Sequence, residues 1–363
     1  MGSTRSRTWL GTLAVLLSVS TWVGVAAGPG SPAASSAYTV YVMNTQCPQH
    51  NSVSVVTGAP WRIGKTISVG SCPAGVVFTR DGSTAYVLNA GDSTITPIDT
   101  SSFTAGAAFP AGVSAPLNAF VTRDGKSIVT AGAGSNTLAV IDTADPSKVK
   151  TVKVGPAPVY LAVLPNGRAA YTANETNNTV SVVSLGATPR LTKTIRFPAP
   201  GCRTPNDIAV APGGKSVYVD CRDNYKLWRI SVATGKPQGR PITIPGAVGG
   251  ACLQTVAGIN GVQPVCGLWQ FVITPNGRTA YVANYLENAV YPVRLASGKV
   301  GAALRVPNAY GLAMSPDGAY VLAAEGKCCF IKSSVSVIKV ATNRVVATFS
   351  TGGFSNRWLA FKP

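Results

Sequence analysis

The sequence predicts an all-β chain folded as a seven-bladed β-propeller, and three observations carry that expectation. The first is a repeat. An apolar strand, a tight turn, a Tyr-Val-x-Asn-like strand and a Val-Ser-Val-Ile-like strand recur six times, with turns at Asp81-Gly82, Asp124-Gly125, Asn166-Gly167, Gly213-Gly214, Asn276-Gly277 and Asp317-Gly318. Most intervals are a little over forty residues, the length of a propeller blade. The second is composition: hydrophobic residues make up 46% and charged residues 12% of the 363, with Val, Thr, Gly and Pro prominent over helix-forming Glu and Lys. The third is that the two ends of the chain are complementary fragments of one further unit. Radially repeated β folds exceed the usual domain size as one body, so a single propeller domain is expected.

Residues 1–27 read as a secretory signal. Arg5 and Arg7 give a positive start, Trp9 to Ala27 is apolar and uncharged, and Val25-Ala26-Ala27 offers small residues for cleavage. A retained anchor is the alternative, because the run approaches spanning length, although Gly, Ser and Thr dilute it. Residues 28–37, made of Gly, Pro, Ser and Ala, form a flexible lead-in, and the propeller occupies 38–363. A secreted, extracellular protein follows, with no further membrane span in the mature chain.

Each blade is expected to carry four antiparallel strands. The complete units cover 73–112, 116–155, 158–200, 205–246, about 268–308 and 309–352. In the first of these the strands are 76–79, 85–89, 93–98 and a weak fourth near Ala107. Residues 39–69 read as the second, third and fourth strands of a unit without its first. The missing strand is "NRWLAFKP" at 356–363, which matches "PAGVVFTR" and stops where the turn would come. The last blade is thus closed by the N- and C-terminal segments, which removes the open edge a ring of sheets would otherwise expose.

Three segments carry a family resemblance: "VITPNGRTAYVAN" at 272–284, "AYTANETNNTVSVV" at 170–183 and "AMSPDGAYVLAA" at 313–324. They resemble the YVTN β-propeller repeat of YncE-like and surface-layer proteins, and the likeness spans essentially the whole mature chain. It implies a seven-bladed propeller; for function it implies binding proteins, with lactonases among related propellers. The second and sixth units depart from the motif, with Ala131 and Ala323 read in place of the usual Asn, and the fourth has Cys221 there.

Strand order places loops from second to third strand, and the connections between blades, at one end of the ring, here called the top. Cys47, Cys221, Cys328 and Cys329 fall in or beside the former; Cys72, Cys202, Cys252 and Cys266 fall in the latter. His50, the only histidine, and an insertion of roughly twenty residues at 247–267 map there too. Eight cysteines in an exported chain favour disulfides. Chain proximity suggests Cys47 with Cys72, Cys202 with Cys221, Cys252 with Cys266 and Cys328 with Cys329, among the 105 pairings that eight cysteines permit. A bond between the neighbours Cys328 and Cys329 would resemble the vicinal disulfide of quinone-dependent alcohol dehydrogenases, whose tryptophan-rich blade motifs this chain lacks. Two cysteines bridged to separate partners is the other reading.

Catalytic constellations are thin. One histidine excludes a multi-histidine metal site and weakens any Ser-His-Asp arrangement, so neither metal nor cofactor is expected. Asp81, Asp99, Asp124, Asp142 and Asp317 are accounted for by bottom turns. Asp92, Glu175, Asp207, Asp220, Asp223, Glu287 and Glu325 remain as upper-side acids. Aligning the first strands on their turns gives a mixed polar and aromatic column at the channel mouth: Gly75, Asn118, Tyr160, Asp207, Gln270, Gly311 and Trp358, beside an apolar column. With the neighbours Asn206, Trp269, Tyr310 and Arg357 it forms a candidate ligand-binding ring. A solvent-filled channel with ordinary polar lining is the alternative.

Without Arg5 and Arg7 the chain keeps 29 basic against 13 acidic residues, a net +16. That balance favours anionic neighbours such as cell-envelope polymers. The cations are scattered singly, with no basic run of the nucleic-acid-binding kind. The expected function is a secreted, monomeric recognition or scaffold propeller binding a ligand, polymer or protein at its disulfide-rich top. A lactone hydrolase or lyase working at the channel mouth, with Asp207 beside Arg203 or Arg357, is the alternative.

Overall fold

The computed structural model describes residues 38–46, 50–58, 61–246, 254–258, 261–265, 267–325, 332–354 and 358–363, within the compact unit Ala37–Pro363. The signal and lead-in segments, together with Cys47, Cys252, Cys266, Cys328, Cys329 and Arg357, lie outside the described residues. No helix among the described residues is long and apolar enough to cross a membrane. The chain is all-β, with seven blades of antiparallel strands.

Blade 1 runs Pro73–Phe78, Thr84–Asn89 and Thr94–Asp99; blade 2 runs Pro116–Val121, Ser127–Gly132, Thr137–Asp142 and Val149–Lys153. Blade 3 runs Pro158–Val163, Ala169–Asn174, Thr179–Ser184 and Arg190–Arg196, and blade 4 runs Pro205–Val210, Ser216–Cys221 and Lys226–Ser231. Blade 5 comprises Leu268–Ile273, Thr279–Asn284 and Ala289–Arg294; blade 6 comprises Ala309–Met314, Tyr320–Glu325, Lys332–Lys339 and Arg344–Phe354. The fourth strands of blades 1, 4 and 5 are each broken into two short bridges on the third strand, as at Thr104–Ala105 and Phe109–Pro110. The inserted segment contains a separate hairpin, Gln254–Gly258 with Gly261–Val265.

Blade 7 joins the chain ends. Thr39–Gln46, His50–Thr57 and Arg62–Ser68 supply its outer strands, and Leu359–Phe361 pairs with the first of them in the register Val40 to Phe361, Tyr41 to Ala360 and Val42 to Leu359. Val40, Tyr41 and Val42 are fully buried at this seam.

The turns explain why the repeat recurs. Gly82, Gly125, Gly167, Gly214, Gly277 and Gly318 all have φ between +68° and +72°, a region that a side chain at Cβ disfavours. The Asp or Asn before the glycine accepts from the amide two residues on, as Asn166 Oδ1 does from Arg168 N at 3.0 Å and Asp317 Oδ1 from Ala319 N at 3.0 Å. The strands so joined bury alternate residues between neighbouring blades. Leu88, Ile95, Ala119, Val121 and Ile128 fill the junction of blades 1 and 2, and Leu227, Leu268, Phe271, Val282 and Val293 that of blades 4 and 5.

The motif asparagine closes the top of the second strand. Asn89 Nδ2 donates to Thr94 and Thr96 hydroxyls at 3.0 and 2.8 Å, Asn174 to Thr179 and Ser181 at 3.0 Å each, and Asn44 of blade 7 to Ser52 and Ser54 at 3.0 Å each. The observed register corrects the reading of its replacements. Counted from the turns, Gly132 and Glu325 occupy this position, not Ala131 and Ala323, which are fully buried one and two residues earlier. Glu325 keeps the contact with the third strand but reverses its direction, accepting from Ser336 Oγ at 3.1 Å. Cys221 replaces the amide with a covalent tie.

Candidate functional site

The first strand of a blade has an edge facing the channel, so its outward amides need acceptors. The polar column supplies them. Asn118 Oδ1 accepts from Leu161 N of the next blade at 3.3 Å, Asp207 Oδ2 from Phe271 N at 2.9 Å, and Gln270 Oε1 from Leu312 N at 2.8 Å. These three side chains are clasps between successive blades. A β-bulge near the start of the first strand turns them sideways: the register shifts between Pro205 and Ile208, between Leu268 and Phe271, and at equivalent points of blades 1, 3 and 6. Asn206, buried beside Asp207, donates its amide to Trp269 O across the same junction.

The aromatic members of the column meet each other. Trp269 and Tyr310 stack with centroids 4.2 Å apart, Tyr310 meets Trp358 edge to face at 5.9 Å, and Trp358 Nε1 donates to Tyr160 Oη at 2.7 Å. Tyr285, just beyond the second strand of blade 5, abuts Tyr310 at 6.4 Å. All five rings are buried. Four blades thus converge on one cluster at the upper end of the channel.

An ionic group covers the other face of Trp269. The Arg222 guanidinium lies 5.1 Å from the Trp269 ring centre, so the indole is sandwiched between a cation and Tyr310. Arg222 Nη1 donates to Glu175 Oε1 at 2.9 Å. Its Nε lies 3.5 Å from Asp223 Oδ1 but makes no aligned hydrogen bond. Burial pushes the Glu175 carboxyl up, against the opposing pull of Arg222.

Behind this group sit two buried carboxyls. Asp207 N donates to Asp220 Oδ1 at 2.7 Å, while Asp207 Oδ1 and Oδ2 accept from Ile208 N and Phe271 N at 2.9 Å each. Burial pushes Asp207 up to about 7 although both amides favour its charged form. Asp220 is pushed well above the usual carboxylate range, by burial first and by the Asp207 charge second. The two groups titrate as a pair.

Three buried polar atoms in this neighbourhood have no hydrogen-bond partner: Asp220 Oδ2, Trp269 Nε1 and Arg222 Nε. They lie at the junction of blades 4 and 5. Asp220 and Glu175 stood among the upper-side acids of the sequence; Arg222 and Tyr285 were missed. The signal was available, because Glu175, Arg222 and Tyr285 each directly follow the top position of a second strand. Arg357 and five cysteines lie outside the described residues, and His50 begins the third strand of blade 7.

Cys202 and Cys221 form a disulfide, with Cα atoms 5.1 Å apart, as chain proximity suggested. Cys72 is also disulfide-bonded. No cluster of potential metal ligands occurs among the described residues.

Neither family models nor curated proteins match the chain. Solved structures do. The periplasmic gluconolactonase of Pseudomonas aeruginosa is 17% identical, with 90% of this chain and 99% of that one covered and a TM-score of 0.70. A functionally unknown protein of Desulfotomaculum acetoxidans is 16% identical, covering 89% and 98%, at a TM-score of 0.67. Hydrazine synthase of Kuenenia stuttgartiensis is 20% identical, covering 80% and 90%, at 0.65. At such identities the likeness is one of fold, and by its own strands and by these likenesses the chain is a seven-bladed β-propeller.

Proposed function

We propose that the chain is an exported recognition propeller that holds a compact, neutral, polyhydroxylated ligand at the upper end of its channel. The observation that carries this reading is the group of three unpartnered buried atoms, two donors and a carboxyl oxygen, against the rigid Trp269–Tyr310 stack. A buried polar atom left without a partner costs about 1–3 kcal/mol, so such atoms need hydroxyl-bearing company. Sugar hydroxyls both donate and accept, which suits a mixed set. An anionic ligand fits less well, because the Arg222 charge is already met by Glu175 at 2.9 Å and by Asp223 at 3.5 Å.

Thermal-shift screening of the secreted chain against neutral sugars and sugar lactones tests this. A hit raises Tm in the wild type and loses most of that rise in Trp269→Phe, which keeps the stack but removes the Nε1 donor. An equal rise in the variant would remove the site from the account.

Lactone hydrolysis is the second reading, and the unpartnered Asp220 oxygen is what favours it, together with the likeness to a gluconolactonase. Water would add to the acyl carbon as ionised Asp220 takes its proton, and Asp220 would return that proton to the ring oxygen as its bond to the acyl carbon breaks; the raised pKa of Asp220 would confine turnover to alkaline solution. Asp207 is poorly suited to that role because amides hold both of its oxygens. Hydrolysis of D-glucono-1,5-lactone above the background rate, abolished by Asp220→Asn, would establish this reading; binding without turnover leaves recognition.

A further inference from the structure

A cavity of about 380 Å³ opens at the outer rim of the top face, where blade 3 hands over to blade 4. Its size lies at the low end of small-molecule sites, roughly 300–1,000 Å³. Pro198, Pro200 and Pro241 form its walls, Trp228 its floor, and Lys226 and Arg240 its charge. No carboxylate lines it. Lys226 Nζ donates to Thr243 Oγ1 at 2.8 Å, and neither cation joins an ion pair among the described residues. Arg196 is exposed at the top end of the neighbouring fourth strand and adds a further positive charge on that side.

The wall is built rather than loose. Gly201 O accepts from Trp228 Nε1 at 3.0 Å and from Asn224 Nδ2 at 3.2 Å, and the next residue, Cys202, is bonded to Cys221. Phe197 packs on Trp228 at 5.6 Å. The disulfide therefore anchors the Pro198–Pro200 wall to the blade that carries Lys226.

We propose that this cavity binds an anionic glycan, with Lys226 and Arg240 pairing its carboxylate or phosphate and the Pro and Trp surfaces taking the sugar ring. A sugar fits better than an acidic peptide for a specific reason. Prolines have no backbone N–H to offer an extended chain, whereas their ring faces suit the C–H face of a pyranose. The site differs from the channel cluster in sign, so each selects a different ligand.

Calorimetric titration of the full secreted chain with trigalacturonate, a phosphorylated maltotriose, maltotriose and hexaglutamate tests the proposal. The first two arms separate a carboxylate source from a phosphate source. At least one of them is expected to bind saturably, and at least tenfold more weakly to a Lys226→Gln, Arg240→Gln double variant. Lys299→Gln, which removes a charge from another blade edge, should change affinity less than twofold. Cys202→Ser should weaken binding too; if that variant fails to fold, the surface double variant still decides. The proposal is overturned by no saturable binding of either anionic glycan, by equal binding of maltotriose, by tighter binding of hexaglutamate, or by an equal loss in Lys299→Gln.

Discussion

Arg222 shows most clearly what one residue contributes to this molecule. Its side chain is 6% exposed, pairs with Glu175 and covers Trp269. Removing one partner of a buried pair leaves the other charge uncompensated, at a cost of about 3–5 kcal/mol. Arg222→Ala is therefore expected to lose stability of that order in urea unfolding, and Arg222→Ala with Glu175→Gln to regain part of it. A loss below about 1 kcal/mol would mean that Glu175 is solvated and the pair is a surface one. The sequence concealed this residue because spacing alone does not reveal that the position after Cys221 turns inward over a tryptophan. The polar column was visible for the same reason that its role was obscured: alignment shows which residues share a level, whereas the bulge that swings Asn118, Asp207 and Gln270 onto the next blade is a backbone feature.

At the scale of elements, the top position of the second strand is tied down by more than one kind of bond around the ring. Asparagine clamps two hydroxyls in three blades, Glu325 takes that place in blade 6, and in blade 4 a disulfide spans 19 residues. Closing a loop of that length stabilises by about 3 kcal/mol in the chain-entropy account. Cys202→Ser should lower the urea midpoint accordingly, and reductant should shift the wild type further toward that variant than it shifts the variant itself. The turns and strand starts were legible because a positive-φ glycine and an Asx side chain are local requirements. The broken fourth strands were not, since an edge strand keeps its pattern only as far as its neighbour packs against it. The terminal closure was readable because two fragments matched opposite halves of one repeat.

For the whole molecule, buried and exposed carboxyls pull the pH dependence of stability in opposite directions. Asp207 has a folded pKa of about 7, above its ordinary value of 3.8, so the native state holds more protons than the unfolded chain between those limits. Its contribution is fully present below about pH 4 and is lost as pH rises toward 7, by on the order of 4 kcal/mol at most. Exposed Asp81 and Asp99, held down to about 2 by hydrogen bonds in their turns, act the other way. Their contribution is present above about pH 4 and lost as pH falls toward 2. Stability should peak in mildly acid solution, and Asp207→Asn should flatten the decline toward neutrality by removing the carboxyl that burial holds protonated there. A decline of unchanged slope in that variant would show that another group carries it.

The most direct test of the upper channel as the ligand site is a crystal structure of the secreted chain grown with a neutral sugar or lactone that raises its Tm. The account predicts ligand density at the junction of blades 4 and 5, with hydroxyls within hydrogen-bonding distance of Trp269 Nε1, Arg222 Nε and Asp220 Oδ2. Density for the ligand elsewhere, with those three atoms untouched, would contradict it.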